Sequence, residues 1–148
     1  LCAGRRGQVP VAGTRSSRSA VALDLDGDGD LDLVTQEQYD RPQVLVNDLS
    51  TRRAVRFLQV RLRGTRSNRD GLGALVRVRV GERTLSQFHD GKSGYLAQSA
   101  LPLYFGLGES SPVRAVEILW PSGLRQRVTE GIPTNGVLTV TEAVPGGR

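Results

Sequence analysis

The sequence has no methionine and only one cysteine, Cys2, among its 148 residues. A single cysteine excludes a disulfide within the chain, and the lack of an initiator methionine predicts a processed or cut piece of a longer protein. No apolar run approaches the roughly 18 residues that a membrane-spanning helix needs. The N-terminal residues are too polar for the apolar core of a signal peptide. The compartment must therefore be inferred from other features.

Aromatic residues make up only 5% of the chain, too few for a stacking platform that binds single-stranded nucleic acid. The formal net charge is +5, and the excess of arginine lies in residues 51–148, whereas residues 1–50 are acidic overall. A basic half could bind nucleic acid or another polyanion. However, its arginines alternate along the chain, as Arg61 and Arg63 do, and this spacing is typical of a solvated strand face. We therefore expect a wet sheet surface and no nucleic-acid partner.

Turn residues recur at short intervals and divide the chain into parts. Residues 1–19 are rich in arginine, glycine and serine and are expected to form a flexible segment. Residues 20–48 form a unit in which an acidic stretch lies between apolar ones, and residues 49–56 are a predicted connector. From residue 57 to residue 142, apolar and polar residues alternate over short stretches. This pattern predicts an all-β fold, with an antiparallel β-sandwich or barrel-like domain.

Seven strands are predicted in this second domain, and Gly81-Glu82 is a two-residue hairpin turn between two of them. No window shows a convincing helical period. The predicted strands are 57–62, 74–80, 83–89, 101–106, 113–120, 124–128 and 136–142.

Five carboxylates alternate within the nine residues from Asp24 to Asp32. Without a counter-ion they would repel one another and destabilise a compact loop. A hard divalent cation removes this repulsion, and calcium prefers about six to eight oxygen ligands. No histidine or cysteine lies close enough to add the softer ligands of transition metals. The spacing therefore predicts a calcium site, with a solvated acidic turn as the alternative.

Loop positions 1, 3, 5, 7 and 9 supply the predicted calcium ligands. Gly29 at position 6 permits the sharp turn that brings them together. An EF-hand is excluded, because its twelfth position needs a bidentate glutamate and Thr35 stands there. The flanking residues favour strands, so we expect a calcium loop between two strands. The ligands are the side chains of Asp24, Asp26, Asp28 and Asp32 and the backbone carbonyl of Asp30.

The segment RSAVALDLDGDGDLDLVTQ resembles an FG-GAP or VCBS repeat, the calcium-loop blade of extracellular β-propellers. Later segments resemble the ASPIC/UnbV domain that follows such blades. They are LQVRLRGTRSNRDGLGALVRVRV (58–80), SGYLAQSALPLYFGLG (93–108) and VEILWPSGLRQ (116–126). Their short signatures include Ser67-Asn68-Arg69-Asp70 and Trp120-Pro121-Ser122-Gly123. One departure is Lys92, where the family tends to have glycine.

The resemblance implies a secreted or cell-surface protein in which calcium rigidifies the repeat and no catalytic activity is established. A propeller needs at least about four blades, so the 20–48 unit is expected either to end a longer propeller in the parent chain or to pack on the following domain alone. We therefore predict a non-catalytic, calcium-binding module with a structural or recognition role and an unknown protein or glycan partner.

A carbohydrate-binding module is the alternative. Tyr95, Tyr104 and Trp120 could bind a sugar if they shared a face, although a tryptophan before Pro-Ser-Gly is more often a packing residue. An enzyme is disfavoured, because His89 is the only histidine and its neighbour Asp90 would face the opposite side of a strand. We expect His89 to be a surface or loop residue.

Overall fold

A computed structural model describes residues 16–108 and 112–144 of the chain. The predicted flexible segment 1–19 thus falls almost entirely outside the described residues. In the described part, strands dominate and the only helix is a single turn. The elements in chain order are β1 (Ser17–Leu23), β2 (Asp32–Glu37), β3 (Gln43–Leu45), α1 (Leu49–Arg52), β4 (Phe57–Arg63), β5 (Leu75–Val80), β6 (Arg83–Phe88), β7 (Leu103–Gly106), β8 (Val113–Leu119), β9 (Arg125–Val128) and β10 (Gly136–Thr141).

The strands form three sheets, in the orders β1-β2-β3, β10-β4-β7 and β6-β5-β8-β9. The prediction of an all-β, sandwich-like fold is confirmed, and the described residues form no closed barrel. Every pair is antiparallel except β4 with β10, which run parallel with Leu58 beside Gly136. The predicted hairpin at Gly81-Glu82 is also present, because Val80 pairs with Arg83 across it. No helix among the described residues is long and apolar enough to cross a membrane.

The hydrophobic core contains side chains of both the β10-β4-β7 sheet and the β6-β5-β8-β9 sheet. Alternate residues of β4 and β5 enter one cluster, among them Leu58 and Val76, which are fully buried. Trp120 is 1% exposed, and its Nε1 donates a hydrogen bond of 3.0 Å to Oε1 of Gln126. The expectation that Trp120 is a packing residue is therefore confirmed. Burial of such a large aromatic side chain removes about 150–250 Å² of surface from water and stabilises the sandwich.

The first sheet is attached to the sandwich through the edge strand β1. Ser19 pairs with Gly94 of the loop between β6 and β7, and the amide of Tyr95 donates to the carbonyl of Arg18 at 3.1 Å. Gly94 has φ 112°, and a Cβ built on it would lie 3.0 Å from Cα of Ser19. Glycine is therefore required where the Ser-Gly-Tyr signature approaches β1, since any side chain would separate the two backbones.

The seven predicted strands agree with the observed ones to within one or two residues at each end, but two other elements lie where no strand or helix was expected. β1 begins at Ser17, so the last three residues assigned to the flexible segment belong to a strand; the Ser17 hydroxyl donates to the buried carboxylate of Glu37 at 3.0 Å. The predicted connector 49–56 contains the one-turn helix α1, whose backbone bond runs from Arg53 N to the carbonyl of Leu49. Neither element was predicted, because both stretches are rich in polar residues and lack the regular spacing of apolar residues that indicates a strand or a helix.

Candidate functional site

The acidic loop is the turn of residues 24–31 between β1 and β2. One carboxylate oxygen from each of Asp24, Asp26 and Asp28 lies within 4.8 Å of the others. Strand pairing brings the ends of this loop together, because Leu23 and Asp32 are the last residues paired in the hairpin. Three of the predicted ligands are thus clustered by the local fold of the chain.

Hydrogen bonds from backbone amides fold the loop around these carboxylates. Asp24 accepts from the amide of Gly27 at 2.8 Å through Oδ1 and from that of Gly29 at 3.2 Å through Oδ2. The amide of Asp30 donates to Oδ1 of Asp28 at 3.0 Å. Gly29 has φ 93°, the left-handed conformation that favours glycine. The loop therefore turns at Gly29, as its sequence position predicts.

The segment at α1 closes the loop from the side. The hydroxyl of Ser50 donates a short hydrogen bond to Oδ2 of Asp28, and the amide of Ser50 donates to Oδ2 of Asp30 at 2.8 Å. The hydrogen bond from Ser50, with a further one from the amide of Asp30, lowers the pKa of Asp28. Asp28 is therefore held in the charged form that a cation requires.

Asp30 and Asp32 are buried, and they differ from the exposed residues of the cluster. Asp32 uses both carboxylate oxygens on backbone amides, Leu25 N at 2.8 Å and Asn47 N at 2.7 Å. Asp30 is 2% exposed, and its Oδ1 has no hydrogen-bond partner in the described part of the chain. The structure thus groups three predicted ligands and uses the Asp32 carboxylate as a brace. The assignment of all five residues, Asp24, Asp26, Asp28, Asp30 and Asp32, as calcium ligands stays a prediction.

The acidic loop rests on two aromatic rings of the β10-β4-β7 sheet. The hydroxyl of Tyr104 donates to the carbonyl of Gly29 at 2.7 Å, and the ring of Tyr104 stacks on Phe57 with centroids 5.4 Å apart. A Cβ on Gly29 would lie 2.8 Å from Cε1 of Phe57. Burial, followed by the negative charges of the loop aspartates, raises the pKa of Tyr104. Sequence reasoning missed this support, because the residues are far apart in the chain.

Glu142 is a buried carboxylate outside the acidic loop, and the sequence analysis did not predict its role. It is 1% exposed and accepts hydrogen bonds from the amides of Thr65 (2.9 Å), Arg66 (2.8 Å) and Ser67 (2.8 Å). The hydroxyls of Ser67 and Ser122 also donate to it. Burial raises the pKa of Glu142, but these hydrogen bonds outweigh it and lower the pKa to about 2. Glu142 therefore joins the Ser67 and Ser122 signature loops to the end of β10.

His89 and Asp90 make separate contacts with the loops around them. His89 lies in the loop after β6, as expected, but it is buried at 8% exposure, and its amide and carbonyl bond to Ala74 and Gly73. Asp90 accepts from the amide of Lys92 at 3.0 Å. Its carboxylate thus caps a turn, and no hydrogen bond to His89 is present among the described residues.

The aromatic trio does not share an exposed face. Tyr95 is 61% exposed, and the guanidinium carbon of Arg18 lies 5.2 Å from its ring centroid. Tyr104 is half-buried under the acidic loop, and Trp120 lies in the core. Of the three, Tyr95 alone offers most of its ring to a ligand.

Residues 64–145 match the sequence model of the family described as ASPIC and UnbV. The match covers more than half of the chain and begins after the acidic loop and β4. A comparison with curated proteins found no match. The resemblance inferred from the signatures of the second domain is confirmed.

Proposed function

The chain belongs to the ASPIC and UnbV family, and from this premise we propose that it is a non-catalytic, extracellular, calcium-binding β module. It serves as a structural or recognition domain of a larger, propeller-type protein. The observation that carries the proposal is the cluster of Asp24, Asp26 and Asp28, whose carboxylate oxygens lie within 4.8 Å of one another.

The chemistry of the cluster suits calcium. All its donors are oxygens, which hard cations prefer, and neither imidazole nor thiolate contributes. Asp30 belongs to the same loop but not to the three-residue cluster, and the Oδ1 of this buried residue has no hydrogen-bond partner among the described residues. A buried carboxylate oxygen without a donor is unfavourable, and a bound divalent cation would relieve that cost as well as the repulsion between the exposed carboxylates.

The calcium site would stabilise the contact between the two parts of the chain. The loop touches the sandwich through Tyr104 and Phe57, and β1 pairs with the 93–95 segment. A cation that fixes the loop would therefore also fix this contact. The 20–48 unit is on this proposal an FG-GAP or VCBS-like blade, and the module is secreted or at the cell surface, where calcium is millimolar.

A thermal melt with and without calcium tests the proposal. Extracellular calcium modules bind at about 10⁻⁴–10⁻³ M, and a ligand at about ten times its Kd adds roughly 1.4 kcal/mol to the free energy of unfolding. We expect the wild-type Tm to rise by a few degrees with calcium over EDTA. The double variant Asp26→Ala, Asp28→Ala should lose this rise.

A matched control removes two acidic residues elsewhere. Glu82 and Glu130 are exposed and lie far from the loop in sequence, so the variant Glu82→Ala, Glu130→Ala has the same change of net charge. It should keep the calcium-dependent rise. A wild-type Tm that is identical in calcium and in EDTA would contradict the proposal.

A carbohydrate-binding module is the second candidate, and the exposed ring of Tyr95 beside Arg18 favours it. Aromatic faces contribute to sugar binding through apolar contact, and Trp120 cannot supply one because it is buried. A glycan-array signal that disappears in Tyr95→Ala would support this candidate. An array without signal for the wild type would remove it.

A further inference from the structure

A groove of about 670 Å³ lies along β4. Arg61 and Arg63 line it, and Thr141 of the neighbouring strand β10 pairs with Arg63 in the parallel register. Because Arg61 and Arg63 alternate with the buried Leu62, their side chains project from the same face of the sheet, about 7 Å apart along the strand. The volume is within the range of small-ligand sites.

Loops form the walls of this groove. The 64–70 loop contributes Arg69 and Asp70, and the chain before β7 contributes residues 100–102. His89 also lines the groove, and its position is fixed by backbone hydrogen bonds to both Gly73 and Ala74. Arg61 and Arg63 are exposed residues that line a concave site, and concave walls strengthen the local electrostatic potential.

The positive charge of the groove is not compensated by neighbouring side chains. Asp70 is paired with its neighbour Arg69, whose Nε lies 3.2 Å from Oδ1. The backbones of Arg61 and Arg63 are paired within the sheet, but their guanidinium groups make no hydrogen bond or ion pair with any other described residue. Two guanidinium groups are thus left with unused donors that point into a shared space.

The outer face of the β6-β5-β8-β9 sheet is a contrasting basic surface. There Glu117 accepts from Arg79 at 2.9 Å and lies 3.8 Å from Arg127. Side-chain hydrogen bonding by Arg79 holds the pKa of Glu117 below its ordinary value. Both surfaces carry exposed arginines, as expected for a solvated strand face, but only the outer face of the β6-β5-β8-β9 sheet pairs them with a carboxylate.

We propose that the groove binds an oxyanion, the carboxylate or sulfate of a small acidic ligand such as an acidic sugar. Arginine forks match such groups with two parallel hydrogen bonds, and an arginine pair can hold one anion from two directions. Thr141 adds a neutral hydroxyl donor at the side of Arg63. The site is separate from the acidic loop and does not depend on the proposed function.

Binding of sulfate and of glucuronate to the full chain tests this inference, with glucose as the uncharged analogue of glucuronate. Titrations followed by NMR of labelled protein at constant ionic strength should show saturable shifts for an anion and none for glucose. The variant Arg61→Gln, Arg63→Gln should lower the affinity by about tenfold or more, because it removes the charge-assisted donors. The anion that binds with the higher affinity shows whether the groove prefers a sulfate or a carboxylate.

The control variant Arg77→Gln, Arg125→Gln removes the same charge from the outer face of the other sheet. It should change the affinity by less than about twofold, because neither residue lines the groove and exposed charges are screened by salt. Titrations in EDTA and in calcium should agree. Equal losses in both double variants would overturn the inference in favour of non-specific charge attraction, and so would the absence of saturable binding by either anion.

Discussion

The acidic loop and Glu142 are two ways of holding carboxylates in the same chain. In the loop, carboxylate oxygens of the half-buried Asp24 and the exposed Asp26 and Asp28 lie within 4.8 Å of one another, and their donors are mostly amides of the loop itself. At Glu142, a single buried carboxylate accepts from three consecutive amides and two hydroxyls of distant segments. In the loop, three negative charges lie close together with few hydrogen-bond donors for each carboxylate. At Glu142, both oxygens of one carboxylate are fully hydrogen-bonded.

The difference separates a site that can take a ligand from one that holds the fold together. A satisfied carboxylate has no free oxygen lone pairs to offer to a cation, and its loss would leave several donors unpaired. A carboxylate in a crowded cluster is stabilised by a bound cation, and its removal is expected to lower the free energy of unfolding only slightly. Burial alone does not show whether a carboxylate is satisfied, since Asp30 and Glu142 are both buried, yet Oδ1 of Asp30 has no donor among the described residues and both oxygens of Glu142 have at least one.

Loss of the Glu142 carboxylate should have the largest effect on stability. Glu142→Ala leaves the amides of Thr65, Arg66 and Ser67 without their acceptor and separates the two signature loops. In EDTA, we expect a larger fall in the urea midpoint than for Asp32→Ala, which loses two amide bonds, or for Asp26→Ala. The exposed Glu130→Ala is the control and should shift the midpoint only slightly.

That ranking would be wrong if Asp26→Ala proved as destabilising as Glu142→Ala in EDTA. The loop carboxylates would then contribute to the fold without a cation, and the contrast between the two regions would disappear.

Acidification should have the next largest effect. The pKa of Glu142 is lowered from 4.5 to about 2 in the folded chain. Its stabilising contribution is therefore complete above about pH 4.5 and is lost as the pH falls toward 2. Urea midpoints measured over this range in EDTA should fall in the wild type. Glu142→Gln, already neutral, should show a shallower dependence, and parallel curves for the two proteins would contradict this assignment.

The smallest expected effect is a difference between two glycines of the acidic loop. Both have left-handed backbone, with φ 83° at Gly27 and 93° at Gly29, so alanine strains each by about 1–2 kcal/mol. At Gly27 the new Cβ meets nothing within 4 Å, whereas at Gly29 it lies 2.8 Å from Phe57. Gly29→Ala should therefore be the less stable variant in chemical denaturation and should lose more of the calcium response. Equal stabilities would show that the ring moves aside without cost.

Local patterns allowed most of the strands and three clustered aspartates to be predicted. Alternation of apolar residues located β4 and β5, because side chains in a strand alternate between the core and the opposite face. The aspartate cluster follows from spacing within nine residues, so it needs only one turn of the backbone. Trp120 was correctly assigned to packing from its place before a Pro-Ser-Gly turn.

Non-local contacts were not predictable from the same patterns. Glu142 lies 77 residues from its partner Thr65, and nothing in the sequence near either residue indicates the other. The parallel pairing of β4 with β10 is equally distant. Asp32 resembles a ligand by its position in the loop, but its two amide partners, one of them from Asn47, depend on how β3 returns to the sheet.

The central place of β4 in its sheet has a practical consequence for dissecting the protein. β10 and β7 flank β4 and pair with it on either side, and Leu58, Val60 and Leu62 fill the core beneath. A fragment cut at residue 64, where the family match starts, would lose the middle strand and leave two edges that have nothing to bond to. The smallest autonomous folding unit is therefore longer than the recognisable motif, and a truncation series should show cooperative unfolding only when Phe57–Arg63 is retained.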